Sequence, residues 1–577
     1  MASFWTASAA RSITAAKQAS SSGLLFAAAT AGFAATSASP TTSISSFNSN
    51  TSCEKDAART YHEKRRKEAR AKLQKRMTSV GHFSLVSQTE NNPSVSSFFM
   101  TLVGEKPGFT TKDFQELWKE RGMKERHPRF HYTVSEDNPN HFEPEKQDDH
   151  VKETFFPYAY RKDIQGRIEA LQTQPLNVHD KTWDVQIAAS GPLGVSGSTN
   201  ANVLRDDDYD DDLVESIVFF RGHHALGDGV SLFSAVLDLC DEAEEFRELI
   251  KRELKKRFRK SGDKSLLERL ASKLQKFISF WMGVLQAMLY QGQLYLWTLV
   301  ESNPMRQLHK WALQETGGVD PPKRTISYSM AAPVEQVKWV AQTLCGKKAT
   351  VNDVFVSCVS AAIARQLQEH RLRVGVLNDV AVETNARRRR RRLSQMASMN
   401  IVMPVHLYGG ILLPGQSLGN RIGAMVARVP GEKTVDCVDR LDKVHGTLHT
   451  LKQTPTPLLS YLLVRVTSSL SGTLLPNFLT QYLFSKANAN AVAVVSNVRG
   501  PPKPIHVKGR LVQSVHGFVP LPPGVPIGVV VSSYAGDVKL SLSAEPWAVP
   551  DGDKFLLYVL EEYQALLEQA KQKAAST

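Results

Sequence analysis

The sequence has few cysteines and no pattern typical of a metal site. Five cysteines are spread over 577 residues, without a CxxC pair and without Cys/His ligand spacing. Disulfide frameworks use closely placed, even-numbered cysteines, and structural zinc sites need clustered ligands. The sequence therefore predicts a protein of a reducing compartment with no metal site.

Acidic residues are absent from residues 1–53, which contain two basic residues and are rich in Ala, Ser and Thr. This composition is typical of an organelle transit peptide. The apolar stretch Gly23–Ala38 also fits a signal sequence or weak anchor, and a disordered tail is the third interpretation. Residues 1–76 are predicted to be a targeting or disordered segment that ends in a basic helix over Ala57–Met77.

The excess of basic residues is not accompanied by a nucleic-acid-binding motif. The net charge is +14, and Arg387–Arg392 is a run of six arginines. Basic surfaces attract anionic membranes, CoA phosphates or nucleic acids, but no aromatic-interleaved basic motif is present. We therefore predict no nucleic-acid partner. The arginine run is interpreted as a solvated loop, with contact to lipid or CoA phosphates as the alternative.

Charge is also absent from residues 277–300, which follow a highly charged helix predicted over Asp241–Lys276. The 24 uncharged residues could span a bilayer by length, but three glutamines and Gly292 weaken that interpretation. The composition favours an amphipathic or re-entrant helix at a membrane interface. A helix buried between domains is the alternative.

The stretch Glu215–Leu239 carries the clearest indication of chemistry. The apolar run Ile217–Phe220 predicts a buried strand, and Gly227-Asp228-Gly229 after it predicts a tight turn. Apolar residues then repeat with helical spacing: Val230, Phe233, Val236 and Leu237. His223 and His224 lie between strand and turn, where a histidine of near-neutral pKa can act as a general base. A structural histidine pair is the alternative.

The segment 223–229, HHALGDG, resembles the active-site motif of the wax ester synthase/diacylglycerol acyltransferase family, within the CoA-dependent acyltransferase superfamily. Residues 349–363 and 419–421 (GNR) resemble further segments of that family, and residues 492–502 and 528–535 resemble its C-terminal pattern. The resemblance covers roughly residues 80–570. The order and separation of these segments make coincidence a poor explanation.

The resemblance implies an α/β (α+β) fold of two chloramphenicol-acetyltransferase-like domains. Each would be a mixed β-sheet with helices, and the active-site channel would lie at their interface. We accordingly predict an N-terminal domain over residues 77–240 and a C-terminal domain over residues 324–577. Residues 241–323 are predicted to be a basic and apolar helical linker and a candidate for membrane contact.

The resemblance also implies acyl transfer from acyl-CoA to diacylglycerol, a long-chain alcohol or both. His224 would be the general base, and Asp228 would hold the loop by an ion pair. His223 and Gly229 would support the motif, and Asn352 and Asp353 would support the site. Capping of a helix that starts near Thr350 is the alternative role for Asp353. Acyl-CoA would be a substrate, so no cofactor is predicted.

Rival classes differ in motifs that this sequence does not contain. Plant-type acyltransferases need a DFGWG-type motif near the C-terminus, and condensation domains are expected beside carrier-protein modules. A lipid-surface binding protein with a non-catalytic transferase fold remains an alternative, as does an acyltransferase for a non-lipid alcohol or amine. The predicted location is a membrane at the endoplasmic reticulum or a lipid droplet, with a plastid or mitochondrion as the alternative.

Overall fold

The computed structural model describes residues 76–89, 92–146, 149–154, 161–191, 213–259, 266–300, 303–315, 324–378, 398–407, 418–432, 435–471, 474, 476–488 and 490–576. The predictions for the N-terminal segment before residue 76 and for the arginine run lie outside these residues.

Two six-stranded sheets form the framework. The first has the spatial order β11 (His506–Val507), β12 (Arg510–Phe518), β1 (Val95–Glu105), β6 (Leu213–His223), β5 (Trp183–Gly191) and β4 (Val151–Glu153). Neighbouring strands pair antiparallel except β4 with β5, which are parallel. Both long central strands, β1 and β6, are almost entirely buried, as their apolar and β-branched residues predict.

The second sheet has the spatial order β7 (Thr325–Pro333), β14 (Asp537–Ala544), β13 (Ile527–Tyr534), β10 (Ala491–Arg499), β8 (Ser398–His406) and β9 (Ile422–Pro430). Strand β10 is parallel to both of its neighbours, and the other pairs are antiparallel. A small hairpin adds β2 (Tyr132–Val134) and β3 (Phe142–Pro144). The predicted fold of mixed sheets with helices is confirmed.

Fourteen α-helices are described in this part of the chain. They are α1 (Ser79–Ser87), α2 (Thr111–Glu120), α3 (Met123–Arg126), α4 (Arg161–Thr173), α5 (Gly229–Val236), α6 (Ala243–Arg259), α7 (Leu266–Val300), α8 (Pro304–Glu315), α9 (Val334–Cys345), α10 (Val351–Asn378), α11 (Cys437–Gln453), α12 (Thr456–Leu470), α13 (Asn477–Asn488) and α14 (Gly552–Ala575). Helix α5 and strand β6 confirm the strand–turn–helix predicted around the histidine pair. The segment predicted as one charged helix is covered by α6 and the start of α7.

The first sheet contains strands from both halves of the chain. Strand β12 pairs along β1, and the hydroxyls of Thr101 and Ser514 are 2.9 Å apart across that pair. The chain therefore leaves the second sheet after β10, completes the first sheet and returns to form β13. This exchange ties the second half of the chain to the first sheet by backbone hydrogen bonds.

Buried aromatic side chains also join the sheets. Phe99 of β1 lies edge-on to Tyr328 of β7 with ring centroids 4.8 Å apart, and both are fully buried. Such contacts add about 0.5–1.5 kcal/mol beyond the burial of apolar area. This contact packs the first sheet, in which the histidine pair ends β6, against the second.

The long uncharged segment lies within α7. In the described residues, no helix combines the length and hydropathy that crossing a bilayer would need.

Candidate active site

The histidine pair lies where β6 ends and the chain turns into α5. The backbone N–H of His223 donates to Thr182 O at 2.8 Å, and that of His224 donates to Ser94 O at 2.8 Å. Leu226 N–H then donates to His223 O at 2.9 Å, which closes the turn. These backbone bonds fix both histidines relative to the central strands of the first sheet.

The hydrogen bond at Nδ1 decides which nitrogen of His224 carries the proton. Nδ1 lies 3.3 Å from Ser84 Oγ, and the Ser84 hydroxyl donates its single proton to Val80 O at 2.9 Å. Ser84 can therefore only accept from His224, so we assign the proton to Nδ1. Within the described part of the chain no hydrogen bond reaches Nε2. Nε2 is left as a proton acceptor.

The surroundings of His224 favour the neutral imidazole. Burial lowers its pKa below the usual value, while the charge of Asp228 and the carbonyl of His224 itself oppose that shift. The net direction is downward. A half-buried, neutral imidazole with a free Nε2 has the protonation state that a general base needs at neutral pH.

Helix α1 reaches the motif because Gly81 has no side chain. A Cβ at this position would lie 2.8 Å from Ala225 O and 3.2 Å from Ala225 Cα. The first distance is shorter than real Cβ contacts and the second is tight, so glycine permits the helix to lie directly on the turn. Thr78 caps the helix by accepting from Gly81 N–H at 3.2 Å. This arrangement brings Ser84 to His224.

His223 is fully buried and shapes the turn. Its Nδ1 accepts from Ala225 N–H at 3.0 Å, so Nε2 carries the proton and donates to Gln88 Oε1 at 2.9 Å. Burial, with the neighbouring His224, lowers the pKa of His223 to about 3. The side chain is therefore neutral with both nitrogens occupied, which suits the predicted supporting role.

Asp228 fastens the turn to the second half of the chain. One carboxylate oxygen accepts from Ser231 N–H at 2.8 Å and caps α5, and the other accepts from Arg421 N–H at 2.8 Å. The imidazole of His406 lies 3.9 Å from the second oxygen, and burial, partly offset by Asp228, lowers the pKa of His406. The sequence resemblance predicts that Asp228 holds the loop by an ion pair. In the structure, two backbone N–H groups make a large part of this attachment.

Asn420 connects the GNR segment to the catalytic histidine candidate. Its amide donates to His224 O at 2.6 Å and to Thr78 Oγ1 at 3.3 Å, and its side chain is fully buried. Ser231 Oγ also donates to Gly419 O at 2.9 Å. Residues near 420 therefore hold α1, the histidine turn and α5 together.

The remaining predicted site residues have contacts of other kinds. Gly229 begins α5, and open space surrounds the place where a Cβ would lie. Asn352 donates to Met403 Sδ at 3.8 Å. Buried Asp353 accepts from Thr350 N–H at 2.9 Å and pairs with Lys452 of α11 at 2.8 Å. Among the described residues no hydrogen bond or ion pair joins Asn352 or Asp353 to His224, and their site roles stay predictions.

Sequence reasoning missed Ser84, Thr78 and His406, and assigned no role to Asn420. A serine in a nine-residue helix has no signal of its own, because its function arises from a partner 140 positions away. For Asn420 a signal was present in the GNR segment. That resemblance could have placed the residue at the site.

The described residues contain no cluster of three or more His, Cys, Asp or Glu arranged to hold a metal ion.

A polar cavity of about 420 Å³ lies near the end of β6. It is lined in part by the buried ion pair of Arg221 and Asp184, in which Arg221 Nε and Asp184 Oδ1 are 2.8 Å apart. The histidine pair does not line this cavity.

Comparison with known proteins finds similarity to one family. Residues 418–567 match the family described as WS/DGAT C-terminal domain. The chain is 22% identical to wax ester synthase/diacylglycerol acyltransferase 8 of Arabidopsis thaliana over 450 residues, 74% of this chain and 84% of the relative. The wax ester synthase/diacylglycerol acyltransferase from Marinobacter aquaeolei VT8 shares the fold, with a TM-score of 0.51 at 14% identity over 86% of this chain and 100% of that one. The matching C-terminal domain and the similarity to the plant relative both support the resemblance to the wax ester synthase/diacylglycerol acyltransferase family, a family of acyltransferases.

Proposed function

We propose that the protein transfers a fatty acyl group from acyl-CoA to the hydroxyl of a lipid alcohol. The acceptor is diacylglycerol, which gives triacylglycerol, or a long-chain alcohol, which gives a wax ester. The observation that carries the proposal is the 3.3 Å contact of His224 Nδ1 with Ser84 Oγ, which favours a proton on Nδ1 and an unprotonated Nε2 beside a glycine turn.

His224 acts as the general base in this proposal. Nε2 takes the proton of the acceptor hydroxyl as its oxygen attacks the thioester carbonyl carbon. The C–S bond of the tetrahedral intermediate then breaks, and CoA leaves as a thiolate. The proton from the acceptor hydroxyl remains on Nε2 of His224. Acyl transfer is direct, so no covalent acyl-enzyme forms.

The other motif residues position this base. Asp228 anchors the turn through Ser231 N–H and Arg421 N–H, and Asn420 holds the carbonyl of His224. His223 fixes the turn through Ala225 N–H. Asn352 and Asp353 support the site from α10, since Asp353 ties the start of that helix to α11.

The proposed place of action is a membrane or lipid-droplet surface, because the acceptors and products are insoluble in water. Support comes from α7, which has several large apolar side chains that face outward. A lipid-binding protein without catalysis is the competing reading, and activity decides between them.

The test is an acyl-transfer assay on membranes containing the protein, with labelled acyl-CoA, diacylglycerol and hexadecanol supplied together. We expect His224→Ala to abolish triacylglycerol and wax ester formation, because the base is removed. His141→Ala is the matched control, since His141 is exposed and lies outside the motif. Unchanged product formation by a folded His224→Ala protein contradicts the proposal, and absence of any product from the wild-type protein favours the lipid-binding alternative.

A further inference from the structure

Helix α7 carries an apolar stripe on its outer face. Large apolar side chains that are 43–65% exposed recur at helical spacing, at Leu274, Phe277, Trp281, Leu285, Met288 and Tyr295. Amphipathic helices normally bury such a stripe. Scattered exposed leucines are ordinary, but a continuous apolar face along a 35-residue helix indicates an interaction surface.

The opposite face of α7 is the one that packs against the protein. Ala287 and Leu294 are buried, and the Tyr290 hydroxyl accepts from Arg428 N–H of β9 at 3.0 Å. At Gly283 an added Cβ would lie 3.0 Å from Pro455, just before α12. The helix is therefore firmly seated with its apolar stripe outward, and the alternative of a helix buried between domains is wrong for this face.

The sequence that leads into the stripe carries the charge that an anionic lipid surface attracts. Residues 251–276 contain eleven Lys/Arg and three Asp/Glu, and residues 277–300 contain no charge. At the other end, the Arg428 guanidinium lies 4.6 Å over the Trp297 ring, beside a cavity of about 470 Å³ lined also by Lys443 and Glu432. Basic groups with Trp and Tyr at the edge of an apolar face are typical of helices that lie in a membrane interface.

A second exposed apolar region lies over helix α1. Leu463 of α12 and Phe478 of α13 are 67% and 70% exposed. Ser468 of α12 hydrogen-bonds His82 of α1 at 3.0 Å, and the Gln481 amide of α13 donates to Val86 O at the end of α1. Helix α1 carries Ser84, which contacts His224. The exposed apolar helices are thus in direct contact with the element that covers the base.

We infer that α7, α12 and α13 form one lipid-contacting surface that seats the protein on an anionic membrane and supplies the acceptor alcohol to His224 past α1. The part of the inference that concerns the acceptor alcohol rests on the proposed function. The part that concerns membrane binding does not. An acceptor already dissolved in the membrane reaches the site without crossing water.

Binding is tested first by flotation of the full chain with vesicles. Vesicles of phosphatidylcholine with 30% phosphatidylglycerol are compared with pure phosphatidylcholine. We expect binding to the anionic vesicles that weakens with salt, and at least a tenfold loss of binding for Leu285→Glu/Met288→Glu. The matched control is Leu557→Glu, because Leu557 is 51% exposed on α14, away from the stripe.

Activity then separates this inference from the proposed function. With diacylglycerol in vesicles, the double variant is expected to lose at least tenfold in rate, whereas a water-soluble short-chain alcohol is acylated as well as by the wild-type protein. His224→Ala is expected to bind vesicles normally and to acylate neither acceptor. A wild-type protein that does not float overturns the surface inference and leaves the proposed function intact. A wild-type dimer that the double variant converts to monomer, with flotation unchanged, also overturns it by assigning the stripe to a second copy.

Discussion

The hydrogen bond from His224 to Ser84 should be measurable in the rate of acyl transfer. Ser84→Ala removes the acceptor that lies 3.3 Å from Nδ1, while the helix keeps a residue of high helical propensity. One hydrogen bond of this kind contributes about 1 kcal/mol, with a range of about 0.5–1.5. If that free energy selects the Nδ1–H form, its loss lowers kcat roughly twofold to twelvefold, because each 1.4 kcal/mol is a factor of ten.

The pH profile distinguishes this role from a structural one. Ser84 accepts more strongly from the imidazolium than from the neutral ring, so its removal should lower the pKa of His224 further. The acid limb of the kcat/KM profile should therefore move to lower pH while the plateau falls. Ser84→Thr, which keeps the hydroxyl, should retain most of the activity, and Ser87→Ala on the same helix is the control. An unchanged plateau and acid limb in Ser84→Ala would refute the tautomer assignment.

Three further predictions concern the same site. For the wild-type protein, the acid limb of kcat/KM should lie below pH 6.5, because burial lowers the pKa of His224 and only the neutral form is active; a limb above that value would contradict the assignment. Gly81→Ala should lower activity severalfold, because the new Cβ would lie 2.8 Å from the Ala225 carbonyl oxygen and push α1 away from the turn. Gly446→Ala is the control, since a Cβ there meets nothing within 4 Å. Equal activity of the two variants would contradict the prediction. Asp228→Ala should lower the free energy of unfolding by about 1–3 kcal/mol, because it removes a helix cap and a buried acceptor; the denaturation midpoint measures this, and an unmoved midpoint would be the contrary result.

The strand, turn and helix around the histidine pair could be predicted because their signals are local. The apolar run of β6, Gly227-Asp228-Gly229 and the helical spacing of α5 lie within 25 consecutive residues. Each pattern reports the conformation of its own segment. The general-base candidate was therefore found from the sequence.

The partners of that base could not be found in this way. Arg421 N–H reaches Asp228 across 193 positions, and Ser84 reaches His224 across 140. Only the assembled fold brings such residues together, and a backbone donor such as Arg421 N–H leaves no trace in residue type. The resemblance to the family indicated the GNR segment. It assigned no role to Asn420, because the hydrogen bond from its amide to His224 O is visible only in the structure.

The orientation of α7 was open for a similar reason. Its composition predicted a helix with an apolar face, but two interpretations fitted that composition. The decision depends on the Tyr290 contact with Arg428, which lies 138 positions later. The spacing of apolar residues shows that a helix is amphipathic, but it does not show which face packs against the rest of the protein.

The pairing of β12 with β1 has a consequence for synthesis on the ribosome. The first sheet cannot be completed until residue 518 has emerged, almost 300 residues after β6, which at 5–20 residues per second is a delay of about 15–60 s. During that interval the edge of β1 that β12 later covers presents unpaired backbone groups, an arrangement prone to wrong pairing with other chains. A nascent chain of this protein should therefore depend on chaperones for longer than one whose first sheet closes early.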